Sequence, residues 1–190
     1  FRQKYPDVSV QLQVHSTRRT GWSVANGQID LAIIGGQLPP ELESLLEITP
    51  YATDELALVL PSKHRLSKEK ELTKEDLYTL NFVTLDSQST TRKVVDKLLK
   101  NSGLEIQRLK IEMELNSLEA IKNAVQSGLG AAFLPVVSIE RELASGTIHK
   151  PLMTDLGVKR ELKLITNPSR YTSKASEAFK KDILPQFSSF

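Results

Sequence analysis

Five apolar residues in unbroken succession, Leu56-Ala57-Leu58-Val59-Leu60, end at Pro61. The run is far too short to cross a bilayer and too short for a buried helix. It fits a central strand covered on both faces. Such a strand needs a packed layer above it and another below. Val94, Val95, Leu98 and Leu99 form one apolar helix stripe, and Leu118, Ile121, Ala124 and Val125 form another. The 190 residues are 39% hydrophobic and 25% charged, a balance that suits a packed core and not a disordered chain. The expected fold class is α/β.

The remaining periodicities extend this pattern. Val8, Val10, Leu12 and Val14 alternate with polar residues and predict a strand with one wet face. A short helix is expected from Arg19 to Asn26, closed at Asn26-Gly27, and then a strand at Leu31-Ala32-Ile33-Ile34. Together these predict a parallel strand–helix–strand unit. Residues 41–47 are expected to be irregular. Thr73 and Asp76 have the spacing of a shortened capping box. Strands are expected at Phe82–Leu85, Ile111–Leu115, Ala131–Leu134 and Leu162–Ile165. Helices are expected at Thr90–Asn101, after Asn116 or Ser117, around Ile139 and Leu143, and over Lys174–Leu184. A chain that leaves one lobe, builds a second and returns has this order. One continuous sheet would give the same periodicities.

Several chemistries find no support. Without cysteine there is no disulfide, thiolate nucleophile or cysteine-held metal. His15, His64 and His149 are far apart, and none forms an i, i+4 metal pair. No nucleophile elbow, phosphate loop or dinucleotide fingerprint occurs. The expectation is no enzyme, no metal and no cofactor. The net charge is +2. The one basic run, Lys63 to Lys70, is diluted by Glu69, so it reads as solvated surface and not as a nucleic-acid face. Trp22 is expected to pack, in the core or at a partner surface.

The informative residues are hydroxyls at strand-to-helix edges. Ser16 and Thr17 follow the first expected strand; Ser87, Ser89, Thr90 and Thr91 precede the central helix; Asn116 and Ser117 precede the next. Helix starts carry free N–H groups and partial positive charge, and hydroxyls add donors. Ligands in open α/β sheets lie at these carboxyl ends. Arg18, Arg19 and Arg92 are at hand to supply charge. The alternative is plain helix capping.

At these residues the chain resembles the effector-binding domain of LysR-type bacterial transcriptional regulators. Phe1 and Pro6 match that family's opening, and Gly27, Ile29, Asp30, Leu31, Ala32 and Ile33 match its glycine–x–isoleucine–aspartate–leucine signature. Leu58, Val59, Pro61 and His64 match a strand leading into proline–x–x–histidine. Ser117, Glu119-Ala120-Ile121, Val125, Gly128-Leu129-Gly130 and Phe133-Leu134-Pro135 give the fullest match. Ser87-Gln88-Ser89-Thr90-Thr91-Arg92 looks closest to the carbon-assimilation regulators of cyanobacteria and related plastids. Arg65 stands where many relatives carry proline, which removes a rigid element from the crossover.

The resemblance implies a two-lobed, periplasmic-binding-protein-like fold, with residues 1–64 and 154–190 in one lobe and 65–153 in the other. It implies a small anionic effector between the lobes, such as 2-oxoglutarate, 2-phosphoglycolate or ribulose 1,5-bisphosphate. The implied effector-binding residues are Ser16, Thr17, Arg18, Ser87, Ser89, Thr90, Thr91, Arg92, Asn116, Ser117, Phe133 and Pro135. It also implies a homodimer of effector domains, a tetramer of the full-length protein, a cytoplasmic location and no membrane. Because the chain opens on Phe1, the N-terminal domain that contacts promoter DNA is expected to lie outside it, with RNA polymerase a further candidate partner. The other reading of the same fold is a solute-binding or transport-associated domain.

Overall fold

A computed structural model describes residues 1–153, 156 and 158–187. The chain folds as two compact units. The first combines Phe1–Thr53 with Glu161–Phe190, and the second is Asp54–Arg160. Strands β2 (Glu47–Pro61) and β7 (Val158–Thr166) begin in one unit and end in the other. The unit limits therefore fall inside strands, at 53/54 and 160/161. The expected lobe limit at 154 falls on residues outside the described ones.

In the first unit, helix α1 (Thr17–Ala25) precedes strand β1 (Leu31–Ile34). A four-residue helix, α2 (Pro40–Glu43), stands where irregular chain was expected. Pro40 sits in its first turn, where the missing N–H costs nothing, and its Leu42 is fully buried. Val24, Ile34, Leu38, Leu42, Leu46 and Ile165 make the core here. β1 pairs antiparallel with β7, from Leu31 opposite Thr166 to Ile34 opposite Lys163.

One expectation fails in this unit. Residues 8–14 form no strand. Val10, Leu12 and Val14 are exposed, Leu12 by 89%. Alternation specifies which face of a strand is apolar but not which neighbour completes its hydrogen bonds. The parallel unit expected from 8–14 through 31–34 is therefore absent, and β1 takes an antiparallel partner instead.

The second unit holds helix α3 (Lys74–Leu77), strand β3 (Asn81–Leu85), helix α4 (Thr90–Asn101) and strand β4 (Lys110–Leu115). Helix α5 (Leu118–Gln126), strand β5 (Ala132–Pro135), helix α6 (Glu140–Ala144) and strand β6 (Ile148–His149) follow. β2 pairs antiparallel with β5 and then with β6. Leu56, Leu58 and Leu60 pack on one face of β2 among Leu66, Leu77, Leu80, Phe82 and Leu99. Val59 packs on the other face with Ile121, Val125, Leu134 and Ile139. The apolar run is thus covered on both sides. β3, α4 and β4 make a parallel strand–helix–strand unit. Thr73 and Asp76 cap α3 reciprocally. Helix α7 (Lys174–Asp182) and a 3-10 turn over Leu184–Phe187 lie in the first unit.

Candidate functional site

β3 ends at Leu85, and the chain must reverse into α4 within four residues. Asp86 organises the reversal. Its Oδ1 accepts from the Gln88 N–H at 2.9 Å, and its carbonyl accepts from the Ser89 N–H at 3.0 Å. Ser89 is the N-cap of α4, with extended backbone, but its hydroxyl makes no capping hydrogen bond. The N–H groups of Thr90, Thr91 and Arg92 have no acceptor one turn earlier inside the helix; the Lys93 N–H is the first to find one, the Ser89 carbonyl. The first turn of α4 carries no acidic residue. This edge therefore presents several donors and partial positive charge, with its one carboxylate, Asp86, in the loop before the helix and engaged with the Gln88 N–H.

The other long helices divide in a useful way. In α5 the Ser117 hydroxyl accepts from the Ala120 N–H, and in α7 the Ser173 hydroxyl accepts from the Ser176 N–H. Those serines are caps in the ordinary sense. Ser16, the N-cap of α1, makes no side-chain cap, like Ser89. The two helix starts with uncommitted N-cap hydroxyls are thus among the positions singled out from the sequence. Ser16, Thr17 and Arg18 lie in the first unit, with Ser16 and Arg18 exposed and Thr17 buried. The other nine lie in the second unit.

Within the second unit the residues take different roles. Ser87 and Asn116 are exposed, while Ser89, Thr90 and Thr91 are half-buried. Arg92 is occupied internally. Its Nε donates to both carboxylate oxygens of Asp96 at 2.9 Å, and its Nη1 to Thr84 Oγ1 at 2.5 Å and to the Leu85 carbonyl at 3.2 Å. Glu114 lies 3.3 Å from the same nitrogen. Two carboxylates thus balance one guanidinium, and the arginine locks α4 to β3 and β4. Phe133 stacks on Phe82 with ring centres 6.1 Å apart and planes 4° from parallel. Pro135 is buried opposite Leu56. A cavity of about 40 Å³ lies beneath α4, lined by Phe82, Leu85, Val95, Leu99 and Phe133 among others. It is too small to hold a metabolite.

Sequence reasoning missed Arg160 and Asp54. Arg160 Nη1 donates to Thr91 Oγ1 at 2.9 Å. Its Nε and Nη2 hold Asp54 Oδ2 at 2.8 and 2.6 Å. Asp54 is 5% exposed, and its Oδ1 has no partner. Because Thr91 Oγ1 accepts from Arg160, its own proton remains free to donate. The two ends of the second unit thus meet the first turn of α4. Asp54 and Arg160 are 106 positions apart in the chain, and no local pattern could join them. Asp54 is followed by Glu55 and Arg160 sits between Lys159 and Glu161, so charge in the sequence singles out neither.

The matching family model is the LysR substrate binding domain, over residues 1–188. A probable RuBisCO transcriptional regulator of Trichormus variabilis is 64% identical over 98% of this chain and 56% of its own length. Its counterpart in Porphyra purpurea is 59% identical over 98% of this chain and 59% of its own length. The chain thus spans a little over half the length of these relatives. Among solved structures, the Synechocystis CcmR regulatory domain in complex with 2-PG superposes with a TM-score of 0.81 at 24% identity, covering 98% of this chain and 86% of that one. The effector-binding domain of QuiR in complex with shikimate gives 0.78 at 22% identity, over 97% and 84%. The α/β fold is that of LysR regulatory domains, and the chain belongs to the LysR substrate-binding domain family.

Proposed function

We propose that this chain is the effector-sensing part of a LysR-type regulator of carbon-assimilation genes, and that it binds a small anionic metabolite at the start of α4. The observation that carries the site is the uncommitted Ser89 hydroxyl beside the free N–H groups of Thr90, Thr91 and Arg92. An acidic group fits there, taking hydrogen bonds from Ser89, Thr90 and Thr91, with the Arg160 charge one bond behind Thr91. The names of the relatives support the regulatory role. The CcmR complex, which shares the fold, makes 2-phosphoglycolate the first ligand to test, ahead of 2-oxoglutarate and ribulose 1,5-bisphosphate. In this reading the effector is bound and released unchanged. Promoter contacts belong to a segment outside this chain, the domains pair as homodimers within a tetramer, and the protein works in the cytoplasm.

Calorimetry against the three metabolites tests the proposal. A hydrogen bond to a charged group is worth about 1.5–3 kcal/mol, so T90A is expected to weaken binding roughly ten- to a hundredfold. S117A removes a hydroxyl already used as a cap and is expected to leave affinity nearly unchanged. No binding by any of the three compounds would reject the carbon-metabolite reading. Tight binding that T90A leaves intact would move the anion away from α4.

A further inference from the structure

The first unit carries a second polar cleft, of about 410 Å³, within the size range of small-molecule sites. Its walls are the turn between α1 and β1, the segment that follows β7, and the first turn of α7. Two opposite charges line it without meeting. Arg170 is fixed by its Nε, which donates to the Ala25 carbonyl at 3.2 Å. Its guanidinium lies over Gly27, which has φ +70° and where a Cβ would come within 2.6 Å of Nη1. Asn167 Nδ2 also donates to that carbonyl, at 2.9 Å, and Asn167 Oδ1 accepts from the Ser169 N–H at 3.0 Å. The outer nitrogens of Arg170 have no acceptor among the described residues, and the exposed Asp30 carboxylate has no hydrogen bond or ion pair among them. Deeper in the cleft, Ser176 is 7% exposed and its hydroxyl is unpartnered. The Lys174 and Ala175 N–H groups at the start of α7 have no acceptor one turn earlier inside the helix.

We infer that this cleft binds a small zwitterion of the amino-acid class, its carboxylate on Arg170 and the start of α7 and its ammonium on Asp30. A simple anion would leave the Asp30 carboxylate facing it, and a simple cation would face Arg170. A ligand carrying both charges satisfies both walls at once. Nothing in this inference depends on the effector proposed for α4, because no residue is shared.

An NMR titration of the chain with L-serine tests it, with inorganic phosphate and ethanolamine as single-charge probes. L-Serine is expected to give saturable shifts at Gly27, Asp30 and Ser169–Ser176, and each single-charge probe to bind at least tenfold more weakly. D30N changes an exposed side chain with no partner among the described residues, so the fold should survive it. It is expected to weaken L-serine binding at least tenfold and to leave phosphate binding unchanged. S176A is expected to weaken L-serine binding severalfold without lowering the thermal midpoint, because the hydroxyl has no protein partner to lose. Absence of saturable shifts would overturn the inference. Phosphate binding as tightly as L-serine, or L-serine binding unchanged by D30N, would also overturn it.

Discussion

Thr91 Oγ1 accepts a hydrogen bond from Arg160 and keeps its own proton to donate, which makes Arg160 a positioning group for the start of α4. The guanidinium is held against the buried Asp54 carboxylate at 2.6 Å. Removing one member of such a pair leaves an uncompensated buried charge, at a cost of about 3–5 kcal/mol. R160M is therefore expected to lower unfolding stability by that order in urea titrations. D54L/R160M is expected to recover much of the loss, since no charge is then stranded. His64 shows a different kind of dependence. Its Nδ1 accepts from the Leu66 N–H at 3.2 Å, so the cap needs the neutral ring. Burial and, second, the Arg65 charge push its pKa below the ordinary 6.5. The folded chain thus resists a proton that the unfolded chain accepts. The contribution of His64 is whole above 6.5 and declines as pH falls below it toward the lowered folded value. The His64 ring resonance is expected to titrate below that of a free imidazole. H64N, which keeps an acceptor without a titrating group, is expected to flatten the fall in stability below pH 6.5.

At the scale of elements, two neighbouring strands depend on one missing side chain. Gly130 lies against β3, and a Cβ there would stand 2.7 Å from the Asn81 carbonyl oxygen. The hydrogen bonds from the Ala131 N–H to that oxygen, at 2.8 Å, and from the Val83 N–H to the Ala131 carbonyl, at 2.9 Å, require this approach. G130A is expected to push β3 away and to cost about 1–3 kcal/mol, the usual scale for overpacking. The segment 8–14 gives the opposite expectation. Leu12 is 89% exposed, so L12S should change stability by no more than about 0.5 kcal/mol. L42A, at a fully buried position of a helix only four residues long, should cost about 2–5 kcal/mol. Urea midpoints of the three variants check the ranking. A large loss in L12S would show that 8–14 packs in solution.

For the molecule as a whole, the expected assembly is a homodimer. Light scattering is expected to give twice the 21.2 kDa monomer mass. Trp22 and Ile33 in the first unit and Ile111 and Met113 in the second are large apolar side chains left exposed. A mass that stays at the monomer value at high concentration would remove the dimer from the proposal. With a net charge of +2, the chain alone should show no sequence-specific shift of promoter DNA at physiological salt, because phosphate contact needs a concentrated basic face.

Local periodicity and chain chemistry placed most elements. The bounds of α4, the capping box at Thr73 and the doubly covered β2 all follow from side-chain spacing over one or two turns. Those are short-range effects, and a sequence displays them directly. Partner choice is not short-range. The alternation of residues 8–14 promised a strand, but no neighbour among the described residues completes it, while Leu31–Ile34 found its partner more than a hundred residues later. The same limit applies to the hydroxyls. Ser89 and Ser117 look alike in sequence, each before an amphipathic helix. Only the structure shows that Ser117 is used as a cap and Ser89 is not, because that depends on where the hydroxyl finds a donor. Arg92, a candidate for effector charge, is bound to Asp96 and Thr84. Arg160, which no local pattern marked, reaches Thr91 because tertiary packing brings the two ends of the second unit together.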